Sequence, residues 1–125
     1  MMRLRRPVAV EPVLRAFLSG GLSAPPFNEA FLAVAPDTSG VYFLYRDGRL
    51  IYIGIAVHGT GIRQELEKHL NGASCTAAAT TFDFEQTRDP VVASREYLLA
   101  HTAQHRGRLP QCNRNGSLDR SLDER

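Results

Sequence analysis

Three side chains in this sequence carry the strongest chemical potential: the phenols of Tyr42 and Tyr52 and the carboxylate of Glu96. A phenol has an ordinary pKa of about 10, so it takes a proton from water at neutral pH only where nearby cations lower that value. Glu96 lies in a stretch with helical periodicity from Pro90 to about His105. Plotted at about 100° per residue, that helix gathers Val92, Ala93, Leu99, Ala100 and Ala103 into one apolar arc, with Glu96 in its middle. A carboxylate on an apolar stripe is costly unless it is paired or bound to a cation. Glu96 is therefore either a partnered core glutamate, with Arg63 or His69, or a ligand for a hard cation. Mg²⁺ typically takes one or two protein carboxylates and keeps several waters. The tyrosines have a plainer reading too, as a cross-strand aromatic pair contributing at most about 1 kcal/mol.

These groups meet only if the intervening elements bring them together. Gly40 to Gly54 predicts a β-hairpin, with β-branched and aromatic runs on both sides of Arg46-Asp47-Gly48. A two-residue Asp47-Gly48 loop would pair Tyr42 with Ile53 and put the phenols on opposite faces. A three-residue loop closed by Gly48 would pair Tyr42 with Tyr52, on a face shared with Leu44 and Leu50, and collect Val41, Phe43, Ile51 and Ile53 on the other. The second register uses the hydrophobic pattern better and is the one expected.

After the hairpin, Ile55 to Gly61 forms a glycine-containing loop that lacks the Gly-Lys-Ser/Thr ending of a phosphate-binding loop. A helix over 62–71 presents Ile62, Leu66 and Leu70 as a stripe and stops at Asn71-Gly72. The alternation in Thr80 to Gln86 predicts a third strand, and Asp89-Pro90 the start of the helix that carries Glu96. Ahead of the hairpin, short helices are expected over 12–19 and 27–35, broken by Gly20-Gly21 and Pro25-Pro26. They should pack on the sheet, since 36 residues are too few to fold alone. The fold class expected is α/β (α+β): a three-stranded, mostly antiparallel sheet flanked by helices. Residues 1–36 form a basic arm and helical extension, 37–114 the core domain, and 115–125 a polar, disordered tail.

Composition narrows the function classes. The 125 residues, 43% hydrophobic and 22% charged, suit one ordinary globular domain, and nothing approaches a membrane span. Prolines 7 and 12 and Glu11 interrupt any export signal after the basic start. Cys75 and Cys112 lack Cys-x-x-Cys partners, which excludes a sequence-evident zinc site and favours reduced thiols in the cytoplasm over a disulfide. The net charge is only +2, but its distribution is uneven. Residues 97–118 carry Arg106, Arg108 and Arg114 with no acid, and His101 and His105 add to them. Such a patch can attract phosphates on a nearly neutral molecule.

Gly40-Val41-Tyr42 followed by Tyr52-Ile53-Gly54 resembles the paired signature of the GIY-YIG nuclease domain family. The order of Lys68-His69, Glu96 and Leu109-Pro110-Gln111-Cys112-Asn113 is similar to the family's over roughly residues 38–114. The resemblance implies a DNA endonuclease that uses one Mg²⁺ or Mn²⁺ ion. In it Tyr42 would activate water, Tyr52 would orient water and phosphate, and Glu96 would hold the metal. His69 would support them, and Asn113 would brace the site by hydrogen bonding. From the basic stretch, Arg106 and Arg108 are the expected substrate contacts.

The catalytic arginine fits two alignments. The family places it four residues before a His or Tyr, and that position here is Glu65. Arg63 stands at nearly the usual distance from Gly54 but about 240° around the helix from His69. If Arg63 is the phosphate clamp, the chain is a nuclease. If Glu65 has replaced the arginine, it is an inactive module of the same fold that binds nucleic acid or a protein partner. A third reading is a subunit of a larger repair or defence assembly docked through residues 3–6. With no separate DNA-reading domain in the sequence, specific cleavage would need a partner or a homodimer.

Overall fold

A computed structural model describes residues 24–57 and 59–114. The basic arm, the helix expected over 12–19 and the tail at 115–125 lie outside the described residues. In order, the elements are α1 (Glu29–Leu32), β1 (Gly40–Arg46), β2 (Arg49–Ala56), α2 (Ile62–Leu70), a 3₁₀ turn (Cys75–Ala78), β3 (Thr81–Gln86), α3 (Pro90–Gln104) and α4 (Gln111–Arg114). The strands form one antiparallel sheet in the order β2-β1-β3. The mixed α/β architecture and all three expected strands are present.

The hairpin differs from expectation in an instructive way. Asp47 and Gly48 both have positive φ, 51° and 86°, so the loop is a two-residue turn with Arg46 opposite Arg49. Positive φ at both positions is what the hairpin turn compatible with strand twist requires. The pairing then slips: Tyr45 faces Leu50, but Leu44 faces Tyr52, leaving Ile51 as the extra residue of a bulge. The bulge restores the parity that a three-residue loop would have given. Tyr42, Leu44 and Tyr52 therefore share one face, although Tyr42 stands opposite Gly54 rather than Tyr52. Leu50 and Ile51 exchange the faces expected of them.

Two cores result, one on each side of the sheet. The first joins Tyr42, Leu44, Ile51 and Tyr52 to Ile62 and Leu66 of α2, to Leu32 of α1 and to Cys112. Burial of each such aliphatic side chain contributes about 1.5–3 kcal/mol. The second packs Val41, Phe43, Tyr45 and Ile53 against Ala93 and Tyr97 of α3. Phe43 and Tyr97 meet edge to face at 5.0 Å. The buried face of α3 is thus Pro90, Ala93, Tyr97 and His101, not the expected arc. Val92 and Leu99 are 46% and 63% exposed, and Glu96 lies about 100° around the helix from Tyr97. The sequence plot found an apolar arc, but shape decided which arc packs: small Ala93 admits the sheet and Tyr97 fills the gap.

Both sheet edges are partly covered. The segment 25–27 runs along β3, with Phe27 N donating to Thr80 O (2.9 Å) and Phe82 N to Pro25 O (3.0 Å). On β2, Asn113 behaves as a one-residue strand: its Oδ1 accepts from Ile53 N at 2.9 Å and its Nδ2 donates to Ile53 O at 3.1 Å. Edges left open would template pairing with other chains.

Cys75 and Cys112, expected as separate reduced thiols, are joined in a disulfide, with Cα atoms 5.7 Å apart. The 3₁₀ turn and α4 pack on the same core cluster, which brings the two within bridging range. This correction removes the thiol argument for a cytoplasmic location, one of the two given above. No helix among the described residues is long and apolar enough to cross a membrane.

Candidate functional site

The structure brings Tyr42, Tyr52 and His69 together. Gly54 makes this geometry: a Cβ added there would lie 2.3–2.6 Å from the Tyr42 ring and hydroxyl, so only glycine lets that ring lie across the neighbouring strand. Gly40 plays a similar part at the other end of the motif, where a Cβ would stand 2.2 Å from Glu85 O. The ring centroids of Tyr42 and Tyr52 are 6.1 Å apart, and His69 lies 5.5 and 5.0 Å from them.

His69 joins this trio from the last turn of α2. Its Nε2 is 2.8 Å from the Tyr42 hydroxyl and its Nδ1 is 2.7 Å from Thr76 Oγ1, which in turn lies 3.0 Å from Ser74 Oγ. Burial, with the charge of Lys68 beside it, lowers the His69 pKa to about 4, so the ring is neutral at pH 7. A neutral imidazole donates from one nitrogen and accepts at the other, so the two hydroxyls satisfy it completely. Burial raises the Tyr42 pKa well above 10, and Tyr52 and the negative charge of Glu65 push it further up. The effect is opposite to what a general base needs. Thr76 and Ser74 had no sequence signal, because they sit in a stretch of small residues between elements.

Arg63 turns away from the rings. Its Nε donates to Ala35 O at 3.0 Å and its Nη1 pairs with Asp37 at 3.2 Å. Of the two alternatives for the catalytic arginine, Glu65 is the one whose charge reaches Tyr42. Glu65 is also bound to Lys68 at 3.4 Å, with its side chain 22% exposed.

Glu96 belongs to the other layer. Its helix packs on the Val41, Phe43 and Ile53 face, so the sheet separates that layer from the two phenols. Among the described residues no three His, Cys, Asp or Glu side chains cluster to hold a metal. A hard cation shared by Tyr42, Tyr52 and Glu96 does not fit this arrangement, because its donors would lie on opposite sides of the sheet. Asn113 is buried and hydrogen-bonded at both ends of its amide to the Ile53 backbone of β2.

The basic stretch gathers elsewhere. At the hairpin tip and the end of α3, a cavity of about 520 Å³ is lined by Arg49, His101, His105, Arg108 and Arg114, among others. Arg108 thus sits where a substrate contact would be useful. Arg106 is exposed, with φ of 56° in the turn that ends α3, and does not line this cavity. Comparison with known protein families, with curated proteins and with solved structures finds no match to this chain.

Proposed function

We propose that this chain is a GIY-YIG-like module that binds nucleic acid without hydrolysing it. The motif residues support the family half of the reading: Gly40, Tyr42, Tyr52 and Gly54 interlock in one hairpin, followed by a helix, a third strand, a helix and the bracing Asn113. The observation that carries the other half is the state of Tyr42. It is 2% exposed, bonded to a neutral His69 and faced by Glu65, with Arg63 drawn off to Asp37. A phosphodiester brought to that phenol would meet a negative charge where cleavage needs a positive one.

A metal-dependent DNA endonuclease is the second reading, favoured by one contact. In its Nδ1–H form His69 places Nε2 2.8 Å from the Tyr42 hydroxyl, positioned to receive its proton. That reading needs the phenol to reach water and Glu96 to reach the same phosphate.

Incubating supercoiled plasmid with the purified protein and Mg²⁺ or Mn²⁺ separates them. The module leaves the plasmid intact and binds a labelled duplex with an affinity that falls as salt rises and is unchanged by Glu96→Ala. Nicking that is abolished by Tyr42→Phe or Glu96→Ala overturns the proposal in favour of the endonuclease.

A further inference from the structure

The cavity at the hairpin tip has a composition that the folded core does not explain. Arg49 enters it from β2, His101 and His105 from the last turn and cap of α3, and Arg108 and Arg114 from the turn and helix that follow. Among the described residues, none that lines it is acidic, and Asp47, the acid nearest in sequence to Arg49, is not part of the lining. Like charges brought together without a counter-charge repel one another, and an anion relieves that cost.

The two histidines are stacked, with ring centroids 3.9 Å apart and planes within 8°. Both have committed the same nitrogen: His101 Nδ1 donates to Arg108 O at 3.0 Å, and His105 Nδ1 donates to His101 O at 2.8 Å. A carbonyl only accepts, so each Nδ1 carries its hydrogen and each Nε2 remains for a ligand. Arg114 is fixed in the same way, its Nε donating to Leu109 O at 2.9 Å, which leaves the outer edge of the guanidinium for another partner. His101 is held below its ordinary pKa by burial first and then by the electrostatic influence of His105, with Arg114 adding to it and the bond to the Arg108 carbonyl opposing.

We propose that this cavity binds a nucleoside phosphate, with the phosphate held by Arg49, Arg108 and Arg114 and the nucleoside against Leu50, Leu109 and Pro110. Guanidinium forks match phosphate oxygens in pairs, and a phosphate monoester carries close to two negative charges at neutral pH. The volume of about 520 Å³ is larger than one phosphate needs and lies in the range of small-molecule sites. Gln104 and Gln111, also in the lining, supply amides of the kind that pair with the edge of a base. This inference deepens the nucleic-acid reading and rests on it for the source of the ligand. The nucleoside phosphate is either the phosphorylated end of a strand or a free nucleotide, and the two share the same recognition chemistry.

The test is titration calorimetry of the full chain with adenosine, adenosine monophosphate, and an eight-nucleotide single strand bearing either a 5′-phosphate or a 5′-hydroxyl. Adenosine monophosphate should bind at least about tenfold more tightly than adenosine, and Arg108→Gln and Arg49→Gln should each weaken it about tenfold. Arg49 makes no packing contribution to either core, so its variant keeps the test informative if Arg108→Gln fails to fold. If the 5′-phosphorylated strand binds about tenfold more tightly than its hydroxyl counterpart, the ligand is a strand end. If only the free nucleotide binds, the cavity assignment stands and the nucleic-acid reading fails. Equal binding of adenosine and its monophosphate, or affinity unchanged in both variants, overturns the cavity assignment even where salt-sensitive duplex binding persists.

Discussion

The two polar regions of this molecule solve opposite problems. Around Tyr42, polar groups are brought indoors and satisfy one another: phenol, imidazole and two hydroxyls form a closed chain, and burial keeps both titratable groups neutral. At the hairpin tip, charged groups of one sign converge around open space, with their inner hydrogen-bonding atoms spent on nearby carbonyls. The first arrangement is what a polar network needs to be stable without a ligand, and the second is what it needs to receive one. The family-like motif residues sit in the region that is closed, and the region that is open was visible in the sequence only as a run of basic residues.

The largest perturbation of this contrast is reduction of the disulfide, which ties the closed region to the open one: Cys75 borders the ring cluster, and Cys112 lies on the short helix that also carries Arg114. It closes a loop with a sequence separation of 37, so Cys75→Ala/Cys112→Ala should cost about 4 kcal/mol. Denaturant titration with and without a reducing agent measures it. Equal stability in both would show that the two regions are held together by packing alone.

Gly54→Ala attacks the closed region directly. The new Cβ would strike the Tyr42 ring, and displacing it breaks the bond to His69, at a cost of about 3 kcal/mol. The same denaturant titration reads the effect, while binding at the basic cavity should be unchanged in the fraction that remains folded.

Acid gives a smaller, graded effect. The folded pKa of His69, about 4, lies below its ordinary value of 6.5, so the unfolded chain binds the additional proton first. The contribution is fully present above pH 6.5 and is lost as pH falls from 6.5 through 4. It amounts to on the order of 2 kcal/mol after allowance for the partial exposure of the ring. Thermal melts across that window, compared with those of His69→Gln, test it. A variant with the same pH slope would assign the loss to other groups.

The smallest effect sharpens the comparison rather than breaking it. Glu65→Gln removes the charge that faces Tyr42 and a pair with Lys68, and stability should change by no more than about 0.5 kcal/mol. Plasmid cleavage should remain absent, since Arg63 is still held by Asp37. Cleavage appearing in Glu65→Gln would show that one charge alone had silenced the site.

Local pattern determined much of this protein. The β-branched and aromatic runs around Arg46-Asp47-Gly48 and the alternation in Thr80 to Gln86 marked the strands, the spacing of Ile62, Leu66 and Leu70 marked α2, and Asp89-Pro90 marked the start of α3. These signals are periodic and short-ranged, so they survive in the sequence by itself. Which face of α3 packs, where Arg63 points, and that Cys75 meets Cys112 were decided only by the tertiary structure. Each depends on shape or distance between elements far apart in the chain. The bulge at Ile51 shows the division most clearly: sequence parity correctly put both phenols on one face, while the device that achieves it is a slip in strand pairing that no local pattern encodes.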